Sequence, residues 1–143
     1  MHALCDLVRQ YGPLAGRILI TAIFLNSGYE KIVGFAAVSG MMAKMGMPMP
    51  DLLLAGAIAF ELGGAIMVLL GWHACLGALL LIAFTVPATL VFHNFWAVDP
   101  GQVQNQFNHF MKNAAIVGAL LYIMAMGPGP LSLGKDGAST RVP

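Results

Sequence analysis

Four long apolar runs, at residues 14–33, 51–70, 74–96 and 106–127, follow one another along the chain with short connections between most of them. Each can cross a hydrocarbon core of ~30 Å, which takes roughly 20 helical residues. Inside lipid a backbone must satisfy its own N–H and C=O groups, and a run of this length does so as a helix. Only 9% of the 143 residues are charged, whereas a soluble domain carries about a quarter. These features predict an all-α integral membrane protein, a four-helix antiparallel bundle with a short interfacial segment between the first and second spans. A net charge of +1, with no basic stripe and no polybasic tail, leaves nucleic acid nothing to grip. No Walker loop, dinucleotide fingerprint or Ser-His-Asp set is present, so hydrolase and nucleotide-driven functions have no support.

Residues 1–13 read as a short mixed segment, with Pro13 suited to the first turn of a helix beginning at Leu14. The first span carries Arg17 and shows no small-residue cleavage site before Glu30 and Lys31, which predicts a retained helix and not a signal peptide. At 100° per residue Arg17, Thr21, Phe24, Ser27, Gly28 and Lys31 share one side, the side expected to face the bundle. Glu30 is expected to reach the headgroups at the helix end. From Gly34 to Met47, Phe35, Val38, Met41 or Met42, and Met45 recur at helical spacing beside Lys44. That pattern predicts an amphipathic helix lying in the interface, with its methionines filling gaps. Met47 to Pro50 form a turn, and Asp51 places a carboxylate at the start of the second span.

Glu61 stands near the middle of that span. A charge at bilayer depth costs roughly 2.5–3.5 kcal/mol on insertion scales, so Glu61 requires a partner or a proton. Ala57, Gly64 and Ala65 on the same face permit another helix to approach closely. Arg17 is the expected counter-ion, giving a structural ion pair Arg17–Glu61. The Gly71–Trp72–His73 connection is short enough to make the second and third spans antiparallel neighbours. Pro87 is expected to kink the third span near Ala83. Thr85, Thr89 and His93 repeat every four residues along it.

The stretch FHNFWAVDPGQVQNQFNHFMKN, Phe92 to Asn113, gathers the polar side chains of a chain that has few. His93 and Asn94 precede the turn at Asp99–Gly101. Gln106, His109 and Asn113 share a face of the fourth span, with Lys112 beside them. If both flanking runs cross the bilayer, this set collects at one membrane face. Lys31, His93, Asn94, His109, Lys112 and Asn113 are therefore the candidate pocket residues. Two histidines without a third ligand do not make a zinc site, and no metal is expected. Gly127–Pro128–Gly129–Pro130 ends the fourth helix, and residues 128–143 read as a flexible tail. Arg9, Arg17, Lys135 and Arg141 at one end, against Lys31, Lys44 and Lys112 at the other, place both termini in the cytoplasm by a small margin. Cys5 and Cys75 would then be reduced thiols.

The segments GRILITAIFLNSGYEKIVGF, MGMPMPDLLLAGAIAFELGGAIMVLLGW, FHNFW, FMKNAAIVGALL and GPGPLSLGKD, in this order, resemble the DoxX family of small four-helix inner-membrane proteins over most of residues 16–136. The family pattern of an early arginine, Ser-Gly-x-x-Lys, a glutamate before paired glycines, and Lys-Asn falls on Arg17, Ser27 to Lys31, Glu61, and Lys112 with Asn113. The resemblance implies a multi-pass protein of a bacterial inner membrane, its DoxX-like domain at residues 14–127 between a cytoplasmic segment 1–13 and the tail. It further implies a link, in some relatives, to sulfur-compound oxidation feeding quinone or to membrane complexes of the oxidative-stress response.

Two functional classes stand first, with a third behind them. One is a redox-linked or quinone-interacting accessory subunit with a polar pocket near the periplasmic face, quinone being the candidate cofactor and redox proteins the candidate partners. There His93 or His109 would hydrogen-bond a quinone oxygen and Lys31 or Lys112 would stabilise its reduced anion. The other is a non-catalytic assembly or scaffold subunit, partnered by the bilayer and by other chains or further copies of this one. A small-solute or proton transporter centred on Glu61 is a third class, opposed by having only four spans and no inverted repeat.

Overall fold

The structure, a computed structural model, describes residues 1–134. Residues 135–143, including Lys135 and Arg141 of the charge comparison, lie outside that description. The elements are α1 (His2–Val33), α2 (Phe35–Lys44), α3 (Pro50–Leu70), α4 (Ala74–Phe92), a 3-10 turn (Phe95–Ala97) and α5 (Val103–Met126), with no strand among the described residues. α3, α5 and α4 with its 3-10 turn are each long and apolar enough to span a membrane. α1 and α2 qualify together as a fourth, bent by 87° at Gly34. The all-helical membrane architecture predicted from the four runs is the one observed.

α1 is longer than expected. It begins at His2 and runs through Pro13, whereas the sequence predicts a short mixed segment over residues 1–13 and a helix start at Leu14. A proline inside a helix forfeits one backbone hydrogen bond. Here the ring is held from outside, since a side chain on Gly129 would collide with Pro13. After Gly34, whose N–H donates to Glu30 O at 2.8 Å, α2 turns across the end of the bundle. It is tied to α3 by a hydrogen bond from the Ser39 hydroxyl to the Asp51 carboxylate. Asp51 therefore holds two elements together in addition to meeting the positive end of α3. α4 continues without a break through Pro87 to Phe92.

The helices pack in the order α1, α3, α4, α5. The side of α1 predicted to face inward does so, with Arg17, Thr21, Phe24 and Gly28 all buried. Phe24 joins Ala65, Val68, Ala78, Leu81 and Leu120 in the core. α3 and α4 approach through paired glycines: a Cβ on Gly64 would sit 2.8 Å from Gly77 O, and one on Gly77 2.9 Å from Gly64 O. In lipid no hydrophobic force drives helices together, and contact this close is what gains packing energy. Leu19, Leu52, Leu76 and Leu121 are left on the outer surface, as a lipid-facing surface requires.

The segment after α5 is not loose over its first residues, contrary to the flexible tail read from residue 128. Pro128 is buried, and Leu133 and Gly134 donate their N–H groups to Leu70 O and Gly71 O, both at 2.9 Å. Residues 127–134 thus form a strap across the end of the bundle where α3 meets α4. The remainder of the predicted tail lies outside the described residues.

Candidate functional site

Opposite the strap, α1, α2, α3, α4 and α5 surround a cleft of about 510 Å³. Lys31 is its central group. Ser27 lies one turn earlier on α1, so the lysine stem folds back along the helix and Nζ donates to the Ser27 hydroxyl. The same Nζ bonds Glu61 Oε2 at 2.9 Å and lies 5.3 Å from the centre of the Phe84 ring. The carboxylate side chain is 1% exposed and the lysine side chain 22%, so the pair reaches from the protein interior to the cleft. An ammonium here is stabilised by a carboxylate, a hydroxyl and the face of an aromatic ring.

The expected pair Arg17–Glu61 does not form. Gly28 on α1 is level with Leu62 on α3, and Arg17 is level with Leu69, to whose carbonyl its Nη1 donates at 2.9 Å. Glu61 and Leu69 are two turns apart on α3, roughly 12 Å of axial rise, beyond the reach of an arginine engaged at the bundle end. Arg17 instead gives Nη2 to Leu131 O at 2.8 Å and to Pro130 O at 3.3 Å. Both residues are buried, as their cost in lipid demands, but each is satisfied at a different level.

Of the predicted pocket residues, Lys31, His93, Lys112 and Asn113 line the cleft, and Asn94 and His109 do not. Asn94 opens the 3-10 turn, its carbonyl accepting from Ala97 N–H at 2.8 Å. His109 stacks on His93, ring centres 4.9 Å apart and planes 13° from parallel, and accepts a hydrogen bond at Nδ1 from Lys112 Nζ, 3.2 Å away. His93 Nδ1 donates to Gln106 Oε1 at 2.9 Å. With Nδ1–H given to Gln106, Nε2 of the neutral ring is the nitrogen available as an acceptor. Asn113 donates to Thr89 Oγ1 at 2.9 Å, and Thr89 donates to Thr85 O at 2.7 Å. This chain fastens α5 to α4 beneath the histidines.

Three groups of the cleft are not in the predicted pocket set, although Glu61 and Thr85 are singled out in the sequence for other reasons. Glu61 lines the cleft itself, Phe84 lies beneath the ammonium, and the Thr85 hydroxyl, also lining the cleft, is buried with no partner. The spacing Ser27-x-x-x-Lys31 was the available signal, because it turns the lysine inward along its own helix. Among the described residues no set of three His, Cys, Asp or Glu side chains could hold a metal.

The sequence profile of the DoxX family matches residues 12–94, a stretch that contains Arg17, Lys31, Glu61 and His93. The chain belongs to the DoxX family. As a DoxX-family chain it is 34% identical over 122 residues to the inner membrane protein YphA of Escherichia coli, covering 85% of this chain and 87% of the relative. It is 32% identical over 124 residues to the inner membrane protein YqjF of the same organism, covering 87% and 90%. A more distant similarity, 28% over 127 residues, links it to the Surfeit locus protein 4 homolog of Schizosaccharomyces pombe, where it covers 37% of the relative. No solved structure matches the chain. The profile match takes in the residues of the Lys31–Glu61 pair and His93, and α5, with His109, Lys112 and Asn113, lies beyond it.

Proposed function

We propose that this DoxX-family membrane protein is a redox-linked accessory subunit of a bacterial inner membrane and that its cleft receives the head group of a quinone. The observation that carries this is the Lys31–Glu61 pair lining one cleft together with His93. A quinone carbonyl accepts hydrogen bonds, which Lys31 or Lys112 can donate. A reduced quinol donates from its hydroxyls, which His93 Nε2 can accept. Apolar side chains such as Ile23, Leu54 and Ile116 line the rest of the cleft and suit the ring, and its volume falls within the roughly 300–1,000 Å³ of small-molecule sites. In the orientation with both termini cytoplasmic, the cleft opens near the periplasmic face.

Thermal unfolding of detergent-purified protein, with and without short-chain ubiquinone and menaquinone analogues, tests this. A rise in unfolding temperature with a quinone that is lost in His93→Leu is the expected result. A wild-type protein that responds to neither analogue and carries no quinone through purification would sink the proposal. The scaffold alternative is favoured by one observation, the Arg17 cluster, whose partners are all main-chain carbonyls.

A further inference from the structure

A second concavity lies away from the cleft and shares none of its lining residues. Because α1 packs on α3 and α5 packs on α4, α1 and α5 are left as the two walls of an open groove of about 640 Å³. Gly12, Gly16 and Ile20 form one wall, Ala119 and Ile123 the other, and Arg17 lines it between them. Arg17 is 1% exposed, and its Nε–H has no acceptor. Among the described residues the one ion pair is Lys31–Glu61, so the charge of Arg17 is opposed by carbonyl dipoles alone. Carbonyls satisfy donors but leave a net charge in a medium of low dielectric, and an anion beside it would neutralise that charge.

Depth and shape narrow the anion. Arg17 is bonded to the last turn of α3 and to the strap, which puts it where the bundle ends, at headgroup level. From there the groove descends to Ile20 and Ala119, along apolar walls. A Cβ built on Gly16 meets nothing within 4 Å, so the space beside α1 at that level is open. We propose that the α1–α5 groove is a binding site for an anionic phospholipid, its phosphate held in the groove mouth beside Gly16 by the field of the buried Arg17 charge and one acyl chain laid along Ile20 and Ala119. The groove opens sideways between two helices, so a lipid of that leaflet enters without leaving the bilayer.

The test is native mass spectrometry of the full chain in mild detergent, supplied with equal amounts of dioleoyl phosphatidylglycerol and dioleoyl phosphatidylcholine. The wild type is expected to retain phosphatidylglycerol over phosphatidylcholine by roughly fivefold, the preference one basic group gives near a membrane surface. Gly16→Leu fills the groove from a position where no protein atom obstructs it, and Ala119→Phe fills it from the other wall. Each is expected to bring the ratio close to one while helix content and unfolding temperature hold. Equal retention of the two lipids by the wild type overturns the proposal. So does a preference that survives both variants, which would belong to a surface cation such as Arg9, and so does retention of added oleate in place of phosphatidylglycerol. Because the groove and the cleft are separate, a protein that ignores quinones but loses phosphatidylglycerol on Gly16→Leu leaves the lipid site standing.

Discussion

Arg17 and Lys31 lie on the same inward face of α1, and the fold satisfies the two cations by different means. Arg17 is sealed by main-chain carbonyls from α3 and from the strap. Lys31 is held by side chains, the carboxylate of Glu61, the hydroxyl of Ser27 and the ring of Phe84, and keeps a fifth of its surface. Those carbonyls are held in place by the helix and the strap that carry them, so the Arg17 end is fixed. Side chains can rotate, so Lys31 or Glu61 can exchange its partner for a ligand. The strap end is therefore built for permanence and the cleft end for exchange.

The sharpest way to break this contrast is to remove each cation's setting and compare the losses. Arg17→Met deprives Leu69 O, Pro130 O and Leu131 O of their donor and unseats the strap. It is expected to cost roughly 3–5 kcal/mol, the range for breaking a buried charged network, read as unfolding in an SDS titration. Gly71→Ala attacks the same end from the backbone. Gly71 has φ +64°, and a Cβ there would meet Arg17 Nη1 at 2.5 Å and Ser132. The left-handed conformation alone costs about 1–2 kcal/mol for a residue with a side chain, and the collision adds to it, so a loss of about 2–3 kcal/mol is expected in the same titration.

At the cleft end the losses should be smaller. Glu61→Gln keeps an oxygen for Lys31 but removes the charge. A cost of about 1–2 kcal/mol is expected, below the value for fully sealed pairs because Lys31 reaches the cleft, together with loss of any quinone-induced stabilisation. If Glu61→Gln proves as damaging as Arg17→Met, the distinction between the two ends fails and the scaffold function gains. Asn113→Leu removes the bond to Thr89 Oγ1 and is expected to cost about 0.6 kcal/mol, the average for a hydrogen bond between membrane helices. A much larger loss would mean that the α4–α5 fastening carries the stability of the cleft end.

The helical periodicity of α1 made its inward face legible from sequence, because burial in lipid obeys the same 100° rule as burial in water. The gathering of His93 and His109 was legible as well, since two spans joined by a short turn bring their near ends to one level. The counter-ion of Glu61 was not. Two cations share one face of α1, and the choice between them depends on the axial register of α1 against α3, of which the Ser27-x-x-x-Lys31 spacing is the one trace in the sequence. The strap was hidden for another reason. Gly127 to Pro130 signals only that a helix ends, while its docking rests on backbone groups that every residue possesses.

The strap also orders events during synthesis. The first span is made early, yet the carbonyls that accept from Arg17 Nη2 belong to residues 130 and 131, which leave the ribosome only after every other helix. Until then that guanidinium must stay hydrated or borrow a transient acceptor, and the first helix cannot take its final depth. Maturation of this end is therefore completed only once residues 130 and 131 have emerged, and a nascent product arrested before residue 130 should hold its first helix in a shallower, more readily extracted position.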